Sequence, residues 1–378
     1  INYIKIPQYM LFKDIIGQED IKQKLIHTVK ENRISHAQLF LGPEGSGNLA
    51  LALAYAQYIS CENKQENDSC GECPSCKKYQ KLIHPDLHFI YPISKTKINI
   101  NEIPGIWRKS VIENPYFNQF NWYENLGVEN KQGIISKDDS NEIIKILNLK
   151  TFEADYKVMI IWMAEKMNIS AANKLLKIIE EPPKNTLFLL VSESSEQILP
   201  TILSRTQLIK IPKIDNNSMF SAISEKFGVT NDKAKDITNL SNGNYLNALN
   251  IVNNTDYDSE NFDLFVTLMR YSYKNQVLEL LNLADKLAAL GREKQKNFLL
   301  YSLRLIRENF MLNINNKEIT HLSKKENEFS NKFSAFINKA NVYQITEELN
   351  SAIIDIEMNG NNKVIFCDLV LKLIKLIK

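Results

Sequence analysis

Apolar positions along this chain form two kinds of run, and the kind changes along its length. Ala37 to Leu41, Lys157 to Trp162 and Thr186 to Val191 are short and nearly unbroken. Such runs predict strands of a parallel sheet covered on both faces, and Leu87 to Ile93 reads as another. Between them the apolar residues take helical spacing. Ile21, Leu25, Ile26 and Val29 share one face of a helix predicted from Glu19 to Lys30, and Ile143, Ile144 and Leu147 share one face of Ser140 to Lys150. A helix from Ala171 is stopped by Pro182 and Pro183. From Pro212 to about Arg270 the pattern is one of short helices. From Gln276 to Lys378 it is helical throughout, marked by Val277, Leu278, Leu280 and Leu281, then Phe298 to Leu300, then Ile345 to Met358. The last segment, Val364 to Lys378, reads as apolar apart from Lys372, Lys375 and Lys378. That predicts one narrow wet stripe on a helix otherwise packed all round.

The first strand runs into Gly42-Pro43-Glu44-Gly45-Ser46-Gly47-Asn48-Leu49, and a helix is predicted from Ala50 to Ser60. Strand, glycine-rich turn and helix N-terminus form the setting of a phosphate-binding loop, whose working pattern is G-x-x-x-x-G-K-[ST]. Gly42 and Gly47 hold the glycine positions, with Gly45 between them. Asn48 replaces the lysine that charges the β- and γ-phosphates, and Leu49 replaces the hydroxyl that ligates Mg²⁺. A second catalytic position is also altered. A working P-loop ATPase ends a buried strand with a carboxylate for Mg²⁺ and often a following Glu for water. Here Trp162 and Met163 stand there, with Glu165 two residues on.

At 378 residues two or three domains are expected, and 44% hydrophobic with 24% charged residues is a globular composition. A net charge of +2, from 46 basic and 44 acidic residues, gives no global field for nucleic acid. No stretch approaches the ~18 apolar residues of a membrane span, and no charged-then-apolar leader opens the sequence. The expectation is a cytoplasmic protein without a membrane partner. In that compartment the five cysteines are not disulfides by default. Cys61, Cys70, Cys73 and Cys76 instead have the spacing of a tetrahedral zinc site, closed and therefore structural. His84 and His88 are not needed as ligands, and Cys367 reads as a small core residue. The segment between Lys95 and Asp139 carries Trp107, Tyr116, Phe117, Phe120, Trp122 and Tyr123. It fits either a docking surface or the private core of an insertion.

Taken in order, the chain has Gly17-Gln18 before a helix, the glycine loop, the four-cysteine module and the Lys157–Trp162 strand. It continues with the helix ending Glu180-Glu181-Pro182-Pro183 and the segment Leu199-Pro200-Thr201-Ile202-Leu203-Ser204-Arg205-Thr206. This series resembles the bacterial clamp-loader ATPase family over most of residues 11–212. The resemblance implies an α/β P-loop-type (AAA+) domain with a zinc module over 1–212, a small helical lid over 213–272 and an all-α collar over 273–378. It implies that Ser204 and Arg205 belong to the motif that lends an arginine finger to a neighbour's ATP site. Thr206 departs from the cysteine usual there. Leu246 stands where the family's sensor arginine normally touches nucleotide, and neither Tyr245 nor Asn247 is cationic.

Within the family the broken loop points to the non-hydrolysing branch rather than to the gamma/tau motors. The partners implied are gamma/tau and delta subunits, with a sliding clamp and primed DNA reached through the complex. ATP and Mg²⁺ are not expected to be turned over. Two rivals stand beside this reading: a gamma-like ATPase with an atypical loop, and a zinc-dependent DNA-binding protein. The second has only Lys77, Lys78 and Lys81 as basic flanks.

Overall fold

The computed structural model describes residues 10–94, 98–128, 133–253, 257–314, 322–358 and 360–377. Two compact units result: residues 1–234 with 241–249, and residues 235–240 with 250–378.

The first unit alternates strands and helices: α1 (Glu19–Lys30), β1 (Ala37–Leu41), α2 (Asn48–Ser60), α3 (Pro74–Gln80) and β2 (Leu87–Ile90). Then come α4 (Ile103–Glu113), α5 (Gln119–Asn125), α6 (Lys137–Leu147), β3 (Lys157–Trp162), α7 (Ile169–Glu180), β4 (Thr186–Ser192), α8 (Pro200–Leu203) and β5 (Gln207–Lys210). All five strands are parallel, in the order β2-β3-β4-β1-β5. β3 and β4 are buried along their whole length, as their unbroken apolar runs predicted. Helices α6 and α7 cover one face through Ile143, Leu147, Leu175 and Ile179, against Met159, Ile161, Phe188 and Leu190. The sheet places the loop after β1 at the carboxyl ends of the central strands, where open α/β sheets keep their ligand crevice.

Element ends differ from the sequence expectation where a local residue decides. β2 stops at Ile90, ahead of Pro92, and Ile93 makes only an isolated antiparallel bridge to Ile134. α6 starts earlier than Ser140 because Ser136 and Asp139 form a reciprocal capping box. α7 is capped by Asn168 and ends before the two prolines. α2 begins at Asn48 rather than Ala50, with Gly47 as its cap at φ +92°, so Asn48 belongs to the first helical turn.

After β5 come α9 (Asn216–Phe227), α10 (Asn231–Ser241), α11 (Tyr245–Asn253), α12 (Tyr257–Tyr273), α13 (Val277–Ala289), α14 (Arg292–Asn313), α15 (Lys324–Phe333), α16 (Val342–Glu357) and α17 (Asn362–Leu376). The core of the second unit gathers Phe265, Leu280, Leu287, Phe298, Leu305, Ile345, Leu349, Phe366 and Leu373. α17 corrects one expectation. It is not packed all round: Val364 is 63% exposed and Leu371 40%, beside the exposed Asp368, and Cys367 is only half-buried. Among the described residues no helix is long and apolar enough to cross a membrane.

Candidate functional site

The glycine loop keeps its course but its polar groups are spent on itself. Asn48 Nδ2 donates to the Gly42 carbonyl at 2.6 Å and lies 3.4 Å from the Ser192 carbonyl at the end of β4. Its Oδ1 sits 2.7 Å from the Ser46 hydroxyl, which also lies 2.6 Å from the Pro43 carbonyl. Asn48 is therefore a brace between loop and sheet, with no amide hydrogen aimed at a ligand. Leu49 is buried.

The space beside the loop is filled by the aromatic segment that the sequence left without a role. A side chain at Gly47 would meet the Tyr116 ring at 3.1 Å, so this glycine is needed for close approach as well as for its left-handed backbone. Tyr116 packs edge-on to Tyr245 at 4.9 Å, and its hydroxyl accepts the Ile16 N–H at 3.0 Å. Phe117 and Trp107 pack on Trp162, at 4.8 and 5.1 Å. Trp162 thus carries an aromatic stack at the strand end where a motor would keep its metal-binding carboxylate.

What remains between Gly45, Gly47, Asn48, Tyr116, Trp162 and Ser192 is a cavity of about 20 Å³. That admits roughly one water, whereas ligand pockets run to several hundred Å³. Glu44, at the loop tip, accepts from Asn118 Nδ2 at 3.0 Å and from Asn244 Nδ2 at 3.1 Å. It clamps the loop to both flanking segments. Gly45 has no room for a Cβ, which would fall 1.9 Å from Asn244 Oδ1. Glu165 is half-buried, two residues beyond Met163. Its Oε1 accepts the Glu193 N–H at 3.2 Å, and burial pushes its carboxyl up from the usual range.

At the position of the absent sensor arginine, Leu246 is buried and Tyr245 turns its ring to Tyr116. Lys226 on α9 lies over the Tyr245 ring at 5.1 Å, and burial lowers its pKa to about 8 against the opposing pull of Asp14. No spacing in the sequence singled out this cation.

Arg205 follows α8 and stands apart from the loop. Its Nε donates to Glu180 Oε2 at 2.9 Å and its Nη1 to the Thr201 carbonyl at 3.1 Å, leaving the side chain about one-third exposed. The Ser204 hydroxyl donates to the Thr201 carbonyl at 3.2 Å.

The four cysteines converge. Their sulfurs all lie within 4.8 Å of one another, with Cys61 to Cys70 at 3.6 Å and Cys70 to Cys76 at 3.9 Å. A tetrahedral ZnS₄ shell with Zn–S near 2.3 Å has sulfurs about 3.8 Å apart, so the donors fit that ion. Backbone N–H groups point at the sulfurs: Cys70 N at Cys61 Sγ, Glu72 N and Cys73 N at Cys70 Sγ, and Cys76 N at Cys73 Sγ. Burial opposes ionisation of Cys70, yet these N–H groups bring it down to about 7. Burial pushes the Cys61 and Cys76 thiols up, so without a cation the cluster cannot hold all its charge. Pro74 at the first position of α3 and Gly71 at φ +75° shape the two tight turns. His84 is no ligand. It is buried against the Tyr79 ring at 4.8 Å, with Nε2 3.2 Å from Glu153 Oε1.

A five-stranded parallel sheet with a glycine loop after β1 and a short helix ending in Ser-Arg defines a P-loop-type α/β protein whose loop is degenerate. The family model described as "DNA polymerase III, delta subunit" matches residues 17–215, more than half of the chain. The chain belongs to the clamp-loader family of DNA polymerase III.

Similar curated proteins include DNA polymerase III subunit tau of Bacillus subtilis, 26% identical over 246 residues, covering 64% of this chain and 37% of that protein. Subunit delta' of the same organism is 27% identical over 243 residues, covering 64% and 60%. Subunit delta' of Haemophilus influenzae is 29% identical over 213 residues, covering 56% and 54%. The match thus spans less than two thirds of the length of these relatives. A gamma-subunit-related protein of Thermotoga maritima aligns over 94% of this chain and 99% of its own at 17% identity and a TM-score of 0.40, too loose to carry structural detail across.

Proposed function

We propose that this chain acts as a delta prime type subunit of the DNA polymerase III clamp loader, working in the cytoplasm during replication. In this reading it hydrolyses no ATP and helps gamma/tau and delta subunits place a sliding clamp on primed DNA. Arg205, steadied by Ser204, completes the ATP site of an adjacent motor subunit. Helices from residue 213 serve as a lid and those from 273 as a collar, and Zn²⁺ at Cys61, Cys70, Cys73 and Cys76 is structural.

The observation that carries this reading is the fate of the lysine position. Asn48 is bonded into its own loop, and the Tyr116 ring stands close against Gly47 beside it. Four contacts a nucleotide needs are altered at Asn48, Leu49, Trp162 and Leu246, while Arg205 remains partly exposed. Arginine fingers stabilise charge developing on the γ-phosphate and raise rates by on the order of 10³–10⁵. The direct test is Mg²⁺-ATP turnover by the purified chain alone. None is expected, and turnover abolished by Asn48→Ala would transfer the protein to the motor class.

A further inference from the structure

The segment from Met10 to Gln18 lies along the first unit like a strap, and both of its ends are fastened. Near its start, Phe12–Asp14 makes a single 3₁₀ turn whose own cap, Leu11, supplies no side-chain acceptor. The acceptor comes from the cysteine module. Asp68 Oδ1 takes the Phe12 N–H and Oδ2 the Lys13 N–H, both at 3.0 Å, while Oδ1 also takes the Ser69 N–H at 2.8 Å. Beside it the Phe12 ring packs edge-on to Tyr58 at 5.8 Å, just before Cys61.

Further along, the strap reaches the degenerate loop. Ile16 N–H donates to the Tyr116 hydroxyl at 3.0 Å. Gln18 Nε2 donates to the Ser46 carbonyl at 3.2 Å and to the Pro212 carbonyl at 2.7 Å. Lys22 Nζ holds the Ile15 carbonyl at 2.8 Å from beneath. Phe12, Ile15 and Ile16 are all buried.

Asp68 stands two residues before Cys70, at the end of a stretch with no helix or strand. Residues Glu62 to Asn67 of that stretch are exposed, and it is held by hydrogen bonds, among them Gln65 N–H to the Asp68 carbonyl at 2.8 Å and Gln57 Nε2 to the Ser69 hydroxyl at 2.9 Å. Its ends are joined by Cys61 and Cys70, whose sulfurs approach to 3.6 Å, and by the Cys70 N–H on Cys61 Sγ. A metal that binds both thiolates would tie the two ends of this loop together and so add to what holds Asp68 in place.

We infer that the cysteine module anchors the Met10–Gln18 strap through Asp68, so that metal occupancy at the four cysteines governs how the strap seats on the phosphate loop. Asp68 is a positioning residue in this arrangement, and it ligates nothing itself. Loss of the metal frees Asp68, the 3₁₀ turn loses its cap, and the hydrogen bonds to Tyr116 and Ser46 weaken with it.

Amide hydrogen exchange on the zinc-loaded full chain tests this, comparing wild type with Asp68→Ala and Asp68→Asn. Hydrogen bonds to a carboxylate are worth enough that Asp68→Ala should speed exchange across residues 11–18 roughly tenfold to a hundredfold. Asp68→Asn, which keeps one acceptor oxygen, should fall between. Zinc content should stay at the wild-type value in both variants. Chelation of the wild-type protein should deprotect the same residues while peptides from β4 and α17 keep their protection. Unchanged exchange at 11–18 in zinc-loaded Asp68→Ala overturns the inference, as does chelation that opens residues 61–76 and leaves 11–18 protected. Should chelation open β4 as well, the zinc-loaded Asp68→Ala comparison decides alone.

Discussion

Replacing Tyr116 by alanine removes the side chain that most closely fills the space beside the degenerate loop. Tyr116 is only 3% exposed, with its ring against Gly47 and Tyr245. Truncating a buried aromatic ring costs about 3–5 kcal/mol through lost transfer energy and the cavity left behind. The hydroxyl adds a second loss, because the buried Ile16 N–H is left without an acceptor, at about 1–3 kcal/mol. Water entering the new cavity can recover part of that second loss, so about 5 kcal/mol is the expected total. Tyr116→Phe keeps the ring and should cost only the hydrogen bond. Urea unfolding followed by tryptophan fluorescence is the assay. Trp107, Trp122 and Trp162 are the chain's three tryptophans, and all lie in the first unit, so the signal reports on that unit alone. A loss below about 1 kcal/mol for Tyr116→Ala would refute the reasoning. Opening the cavity should not create an ATPase, because Asn48 and Leu49 still lack the charge and the metal ligand. Turnover appearing in Tyr116→Ala would mean that blockage alone silences the site.

Metal analysis should find about one zinc per chain, and zinc binding should release protons, since burial keeps the Cys61 and Cys76 thiols protonated in the metal-free protein. Calorimetry in buffers of different ionisation enthalpy measures that release, and a buffer-independent enthalpy would contradict it. In the second unit, Glu326 is 4% exposed and bonded to Tyr301 Oη at 2.6 Å, to Arg304, and to the Ser323 N–H at 2.8 Å. Glu326→Ala should cost about 1–3 kcal/mol by circular dichroism, because it removes the acceptor shared by the Tyr301 hydroxyl, Arg304 and the Ser323 N–H; a loss well under about 1 kcal/mol would count against that network. Burial alone would raise the Glu326 carboxyl, but Arg304, the Tyr301 hydroxyl and the Ser323 N–H together outweigh it and the net shift is downward from 4.5. Stability from this group is therefore complete above pH 4.5 and lost as pH falls through the lowered value, a dependence that Glu326→Gln should flatten.

The strands were legible because burial on both faces makes a parallel strand read as an unbroken apolar run, as in β3 and β4. The cysteine cluster was legible because tight ligand spacing is local. The aromatic plug was not. Tyr116 meets Gly47 and Tyr245, residues far away along the chain, and aromatic content alone cannot say which distant surface a ring will cover. The same limit explains α17. Spacing identifies the faces of a helix, but not which faces its neighbours cover, and Val364 and Leu371 lie on one left open. Asp68 carried no sequence signal, since its partners are backbone N–H groups that every residue offers.

The central claim is that Arg205 serves a site this chain does not itself contain. Its ion pair with Glu180 is partly exposed, so Arg205→Ala should change stability by less than about 1 kcal/mol and leave assembly intact. The measurement that decides is ATP turnover by the reconstituted loader carrying Arg205→Ala in this subunit. The account predicts a fall on the order of 10³ or more at the motor site abutting this chain. Turnover equal to wild type at that site, in a complex shown to be fully assembled, would contradict it.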